Sequence, residues 1–233
     1  MFIGMQPPSL NLEDYQNTSS TSDVKVLFPS IVFQHKIDGF DGVNDELIGY
    51  CYGERGRDPK GTQATNVNGW QSQPDYHLKE STLLDTLSRG LSNIGGFRDG
   101  FGLRLTGLWI NINPPGALNN GHNHPNCDLA GVMWIKTQEN CGKIEFENPN
   151  YFSHPNISGY SDDLIENTDI FPAYDFVPRA GEVLLFPSYL RHGVHPNTSG
   201  EDRISCSFNL SLIHISEPTR RYAIAYAGVW VKK

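Results

Sequence analysis

The residues best suited to chemistry are His122 and His124, one residue apart in Gly121-His122-Asn123-His124-Pro125. Far downstream come Arg191-His192-Gly193-Val194-His195-Pro196 and then Arg203-Ile204-Ser205. Side chains alternate with period two along an extended chain, so an HxH pair points to one side. A third histidine from a distant strand would close a facial three-ligand metal site, leaving positions open for substrate and oxygen. Imidazole suits Fe, Zn, Cu and Ni. An arginine on a pocket-facing strand could hold an acidic co-substrate through two parallel hydrogen bonds.

A bare HxH is also what one surface histidine and one core histidine would give. Its setting argues for a metal: it follows a strand with one polar face and precedes the strongly apolar Leu129-Ala130-Gly131-Val132-Met133-Trp134-Ile135. His192 is the expected third ligand. It lies just past Leu184-Leu185-Phe186-Pro187, where ligands would cluster at a barrel mouth. His195 has the opposite parity in an extended segment and reads as a turn residue before Pro196. Asp128 is either an alternative ligand or a cap ahead of Leu129.

These side chains need strands to hold them. Leu108, Ile110 and Ile112 alternate with Trp109, Asn111 and Asn113, so one face is aliphatic and the other bears an indole and two amides. Such a polar face is half exposed in an open sheet and lines the pocket in a ligand-enclosing barrel. From Arg203 to Leu210, Ile204, Cys206 and Phe208 face one way; Arg203, Ser205, Ser207 and Asn209 face the other. Lys143–Phe146 reads as a short strand. Phe176–Pro178 and Glu182–Pro187 read as a strand pair joined by Arg179-Ala180-Gly181. Residues 150–172 form a long polar loop of the kind that serves as lid, substrate contact or insert.

The first hundred residues predict a strand-and-helix layer supporting the sheet. Val24–Pro29 and Ile31–Phe33 read as β, broken at Pro29. A helix begins at Asn44, with Asn44 as its cap, and fades into a loop over Gly53–Gly61. Leu83, Leu84, Leu87, Leu91 and Ile94 fall at helical spacing behind the cap Ser81, and Gly95-Gly96 ends that helix. Trp70, in Asn66–Ser72, is expected to pack this layer onto the sheet. Residues 1–23 read as a loose polar arm, and 24–211 as a single domain. Residues 212–233 are a tail that is either foreign to the fold, resembling translated adapter sequence, or an ordinary extension.

With 233 residues and a net charge of -8, the chain lacks the basic balance of a general nucleic-acid binder. Cys51, Cys127, Cys141 and Cys206 show no CxxC spacing and are expected as free thiols. The N-terminus lacks a basic segment followed by an apolar run, and no stretch is long enough to span a membrane. A soluble, cytoplasmic protein is expected. The phosphate-binding, dinucleotide-binding and nucleophile-elbow motifs are absent from the sequence.

The order of a polar-faced strand, HxH-P, an apolar G-V-x-W-I strand, FPSYLRHGVHP and RISCSFNL resembles the Fe(II)- and 2-oxoglutarate-dependent oxygenases. More narrowly, with its LFP strand and NGWQS element, residues 24–211 resemble an oxygenase group typical of marine bacteria and their phages. The resemblance implies a mainly β double-stranded β-helix (jelly-roll) with the metal inside one end. His122 falls at the first metal position, His124 at the carboxylate position and His192 at the distal histidine. Arg203 matches the residue that pairs with the far carboxylate of 2-oxoglutarate, Ser205 lies two along on the same face, and Asn111 and Asn113 lie on a strand contributing to that pocket. The implied activity is hydroxylation of a substrate with Fe(II), 2-oxoglutarate and O2, releasing succinate and CO2; the acidic net charge points to a small molecule or a protein side chain as that substrate. The departure is His124, since the wider superfamily uses two histidines and one carboxylate. That leaves open a cupin-like zinc or nickel protein, hydrolase, isomerase or binding module, or a jelly-roll that binds a partner without metal.

Overall fold

The computed structural model describes residues 28–79, 81–92, 94–150, 159–168 and 171–214. Its strands are β1 (Phe33–Lys36), β2 (Asn66–Val67), β3 (Trp70–Gln71), β4 (Phe101–Asn113), β5 (Leu118–His122), β6 (Leu129–Lys136), β7 (Ile144–Glu147), β8 (Ala173–Phe176), β9 (Glu182–Pro187), β10 (His192–Val194) and β11 (Arg203–His214). The helices are α1 (Asn44–Arg57), α2 (Thr82–Ser92) and α3 (Asp162–Thr168). One sheet has the order β1-β9-β6-β11-β4-β3 and the other β2-β5-β10-β7-β8. Every strand pairing is antiparallel. This is the jelly-roll that the resemblance implies, with a helical layer outside it.

Side-chain parity divides the molecule into two cores. Leu108, Ile110 and Ile112 of β4 join Ile204, Cys206 and Phe208 of β11 in a cluster with Leu47 and Cys51 of α1 and Leu83, Leu84, Leu87 and Leu91 of α2. Burying each large aliphatic side chain contributes about 1.5–3 kcal/mol, which is what clamps the helices onto the large sheet. The alternate residues of β6 and β9 (Ala130, Val132, Trp134, Leu184, Phe186) pack inward against Ile144 and Phe146 of β7. Because β6 and β9 are covered on both faces, they read as continuous apolar runs rather than alternating ones. Arg203, Ser205, Ser207 and Asn209 share the inward face and border the space between the sheets. Trp70 packs as expected, 8% exposed, with its indole N–H donating to the Asp58 carbonyl at 2.8 Å.

Several boundaries differ from expectation. The helix α1 does not fade at Gly53 but runs to Arg57. Leu47, Cys51 and Glu54 are buried at helical spacing, and Asp45 and Glu46 in the first turn and Arg55 and Arg57 in the last complement the helix dipole. Its cap position is Val43, and the Asn44 side-chain oxygen is buried without a partner. Ser81 does cap α2, accepting from the Leu84 N–H at 3.3 Å, but the helix stops at Ser92, short of Ile94. The region 150–172 is not all loop: α3 starts behind Ser161, whose hydroxyl accepts from the Leu164 N–H at 3.3 Å. The expected strand pair around Arg179 separates into two sheets, since β8 pairs with β7 while β9 pairs with β1 and β6. Among the described residues the first strand is Phe33–Lys36, which overlaps the expected Ile31–Phe33 only at Phe33. At the other end β11 continues through Leu212, Ile213 and His214, paired with Leu103, Gly102 and Phe101. The sheet therefore extends past the boundary at 211, because β4 starts early enough to partner it. The arm at 1–23, the segment 24–27 and the tail from 215 lie outside the described residues. Among the described residues no helix is long and apolar enough to cross a membrane. All four cysteines are free, as their spacing predicts.

Candidate metal centre

His122 closes β5, His192 opens β10, and the two are direct partners in the ladder between those strands. His124 follows on the same side, its N–H anchored on the Ser188 carbonyl at 2.9 Å. Ring centroids lie 4.4 Å apart for His122 and His192, 5.0 Å for His122 and His124, and 5.2 Å for His124 and His192. One nitrogen from each ring lies within 4.8 Å of the others, a spacing that a shared ion can bridge.

The tautomers favour metal binding. His122 Nδ1 lies 2.8 Å from the Asn120 carbonyl, and His192 Nδ1 lies 2.9 Å from that of Leu190. A carbonyl only accepts, so each Nδ1 carries the proton and each Nε2 keeps its lone pair. His124 Nδ1 faces the Asn209 Oδ1 at 2.7 Å, and its Nε2 is buried without a partner. Burial pushes all three imidazoles below their ordinary range, His192 to about 3, lowered further there by the adjacent titratable rings of His122 and His124. All three are therefore neutral near pH 7, which is the ligand form.

Arg203 is 1% exposed. Its Nη1 donates to the carbonyls of Cys141, Gly142 (3.3 Å) and His195 (3.4 Å). Burial lowers its pKa to about 10, so it remains a cation at neutral pH. Its Nη2 is buried and has no partner, an orphaned donor on a buried charge. Gly142 makes this seat possible. Its φ is +91°, and a Cβ there would lie 2.2 Å from the His195 carbonyl and 2.7 Å from Arg203 Nη1.

The three histidines and Arg203 line one cavity of about 260 Å³ between the sheets, with Asn111, Ser205, Ser207, Asn209, Trp109 and Gln71 among its walls. Arg203 is the only Lys, Arg, Asp or Glu among the described residues lining it. Asn111 donates to the Ser207 hydroxyl at 3.0 Å and leaves its buried Oδ1 unpartnered. Asn113 does not line the cavity. It sits directly across from Arg203 in the β4–β11 ladder and donates to the Asn119 Oδ1 at 3.3 Å, so Asn119 stands at the wall instead. Asp128 does not join the cluster either, because its Oδ2 accepts from the Leu212 N–H at 2.7 Å and ties β6 to β11. His195 stands apart, exposed and paired with Glu145 at 3.3 Å. The orphaned Nε2 of His124 and Nη2 of Arg203 suit a divalent ion and a dicarboxylate respectively.

Three features were not singled out from the sequence: Asn209 as a partner of His124, Trp109 stacked on the same ring, and Gln71 as cavity wall. The Asn209 face was legible; its contact was not, since His124 lies on a separate segment. Within Asn66–Ser72, period-two alternation was the available signal, sending Gln71 to the face opposite its neighbour Trp70.

The jelly-roll thus brings three neutral imidazoles and a buried guanidinium to one cavity, a donor set that could hold a metal ion. Residues 107–209 match the family described as "Putative 2OG-Fe(II) oxygenase". The cofactors of that family are Fe(II), 2-oxoglutarate and O2, which favours this reading over a cupin-like zinc or nickel protein. The fold is similar to the non-heme alpha ketoglutarate dependent carbocyclase SnoK from nogalamycin biosynthesis, with a TM-score of 0.56 and 11% identity over 86% of this chain and 92% of that one. It is also similar to HygX from Streptomyces hygroscopicus with nickel, 2-oxoglutarate and hygromycin B bound (TM-score 0.53, 14% identity, 78% and 82% covered). A third is the alpha ketoglutarate dependent epimerase SnoN (0.53, 13%, 84% and 87%). Identities this low speak for the fold alone. No curated protein sequence matches the chain.

Proposed function

We propose that the chain is an Fe(II)- and 2-oxoglutarate-dependent dioxygenase that hydroxylates a C–H bond and releases succinate and CO2. The observation that carries this is the meeting of three neutral imidazoles and the unpartnered Arg203 Nη2 in one cavity. His122, His124 and His192 would hold the metal through Nε2. When bound, Fe(II) supplies the activation of O2 coupled to oxidative decarboxylation of 2-oxoglutarate.

The chain's own residues do the positioning. Arg203, held by three carbonyls through Nη1, turns Nη2 to the distal carboxylate of 2-oxoglutarate. The Ser205 hydroxyl, on the same face, adds a second donor. Val132, Trp134, Ile144 and Phe186 keep water from the back of the cavity. Without a ligand carboxylate the centre carries one less negative charge than a site of two histidines and a carboxylate. It should therefore bind Fe(II) less tightly.

The substrate is read as a small molecule or a protein side chain rather than a nucleic acid, and the location as the cytoplasm. Net charge -8 and four free thiols support this. The test is aerobic incubation with Fe(II) and 2-oxoglutarate against a metabolite and peptide library. Succinate formation that depends on both, and an added oxygen in one library member, is expected. Bound zinc with no 2-oxoglutarate affinity and no succinate would overturn the reading.

A further inference from the structure

Asn209 reaches a ring of the candidate metal centre from the inward face of β11, beside an irregularity in the sheet. It lies in β11, where the pairing with β4 shifts register between Asn209 and Leu210: Asn209 faces Gly107, Leu210 faces Leu105, and Thr106 is left over. The Thr106 hydroxyl donates to the Asn209 carbonyl at 3.3 Å, filling the irregularity. The amide faces the cavity, with Oδ1 at 2.7 Å from His124 Nδ1.

The direction of that hydrogen bond matters. With Oδ1 toward the ring, Nδ1 must donate, and Nε2 is left with its lone pair. The reverse orientation, with the amide N–H donating, would put the imidazole proton on Nε2 and remove it as a ligand. His122 and His192 obtain the same tautomer from backbone carbonyls two residues before them. His124 has no such local carbonyl, and Asn209 takes its place from another strand. Trp109 stacks on the same ring, with centroids 5.9 Å apart and planes 20° from parallel. The indole sets the plane of the ring while the amide sets its rotation.

We propose that Asn209 is a positioning residue for the metal centre: its Oδ1 fixes His124 as the Nδ1–H tautomer, aims Nε2 at the ion, and keeps the partner of that ligand uncharged. The inference rests on reading His122, His124 and His192 as metal ligands. Partners of this kind fix ring orientation and ligand basicity, and losing one typically weakens metal affinity about 10–100-fold.

The experiment uses the full chain and Co(II) alone. Co(II) affinity is measured by visible absorption and by competition for the wild type, Asn209→Leu and Asn209→Asp, with circular dichroism to check that each is folded. Asn209→Leu should weaken Co(II) about 10-fold or more. Asn209→Asp keeps the acceptor and adds charge, so it should bind at least as tightly as the wild type. In parallel, long-range ¹H–¹⁵N NMR of the metal-free protein reads the His124 tautomer directly: Nδ1–H in the wild type, a mixture in Asn209→Leu. This second readout does not depend on metal affinity. Equal Co(II) affinity in all three proteins, equal weakening in both variants, or an Nε2–H tautomer in the wild type would overturn the proposal. Failure of the wild type to bind Co(II) at all would instead remove the ligand reading beneath it.

Discussion

His192 and His122 face each other directly across the β5–β10 ladder, with ring centroids 4.4 Å apart. The ladder, rather than a loop, brings together two ligands far apart in the chain. A one-residue slip would send one ring to the opposite face. The same pairing places Phe146 of β7 on the other side of His192, so that ring is packed as well as paired.

Removing either member should empty the centre without unfolding the domain. His122→Ala and His192→Ala are each expected to lose stoichiometric Co(II) binding while keeping the wild-type circular dichroism spectrum. Retention of wild-type affinity by either variant would mean that the rings do not share an ion.

Arg203 serves two purposes that substitution can separate. Arg203→Met strips the donor from three carbonyls, at a cost of about 1–3 kcal/mol for each buried group left unsatisfied. Arg203→Lys keeps a cation but loses the planar fork. We expect Arg203→Lys to fold and to bind 2-oxoglutarate at least about tenfold more weakly, equivalent to about 1.4 kcal/mol. Isothermal titration with Ni(II) in place of Fe(II) measures this. Unchanged 2-oxoglutarate affinity would mean that Nη2 faces something else.

Gly142 offers an indirect route to the same group. A Cβ at this left-handed position would press on the His195 carbonyl and on Arg203 Nη1. Gly142→Ala should therefore lower stability by about 1–3 kcal/mol and weaken 2-oxoglutarate binding, although residue 142 need not touch the ligand. Chemical denaturation and titration read the two effects. A stable variant with normal 2-oxoglutarate affinity would contradict the seat described for Arg203.

The buried histidines give a pH dependence with a definite sign. In the unfolded chain His192 protonates near 6.5, and in the fold burial holds it down to about 3. Between those values the unfolded state binds more protons, so folding stability falls as pH falls. Metal-free protein should be fully stabilised above about pH 6.5. Below it, stability should fall by up to about 1.4 kcal/mol per pH unit for this group alone. His122 and His124 act in the same direction. Urea midpoints between pH 7.5 and 4.5 should therefore drop more steeply for the wild type than for His192→Asn. Parallel curves would show that His192 is not held neutral by burial.

Much of this site was legible in the chain. Period-two parity was enough to bring His122 and His124 to one side and to give Arg203, Ser205, Ser207 and Asn209 a common face, because both rest on strand geometry alone. Register was not legible. Nothing local tells that Arg203 sits opposite Asn113, that Asn119 then screens Asn113 from the cavity, or that Asp128 is taken by the Leu212 N–H. Helix α1 was misjudged at Gly53–Arg57 because glycines read as breakers, while the Leu47-Cys51-Glu54 spacing that holds that face against the sheet outweighed them. The partner of His124 was hidden for the same reason as the register: it is a pairing between separate segments.

The most direct test of the central claim is anaerobic titration of Fe(II)-loaded protein with 2-oxoglutarate, followed by visible absorption. Chelation at a centre built from His122, His124 and His192 should raise a weak charge-transfer band that saturates stoichiometrically, is absent from His122→Ala, and needs far more 2-oxoglutarate in Arg203→Lys. Protein that takes up Fe(II) yet gives no band at any 2-oxoglutarate concentration would contradict the account.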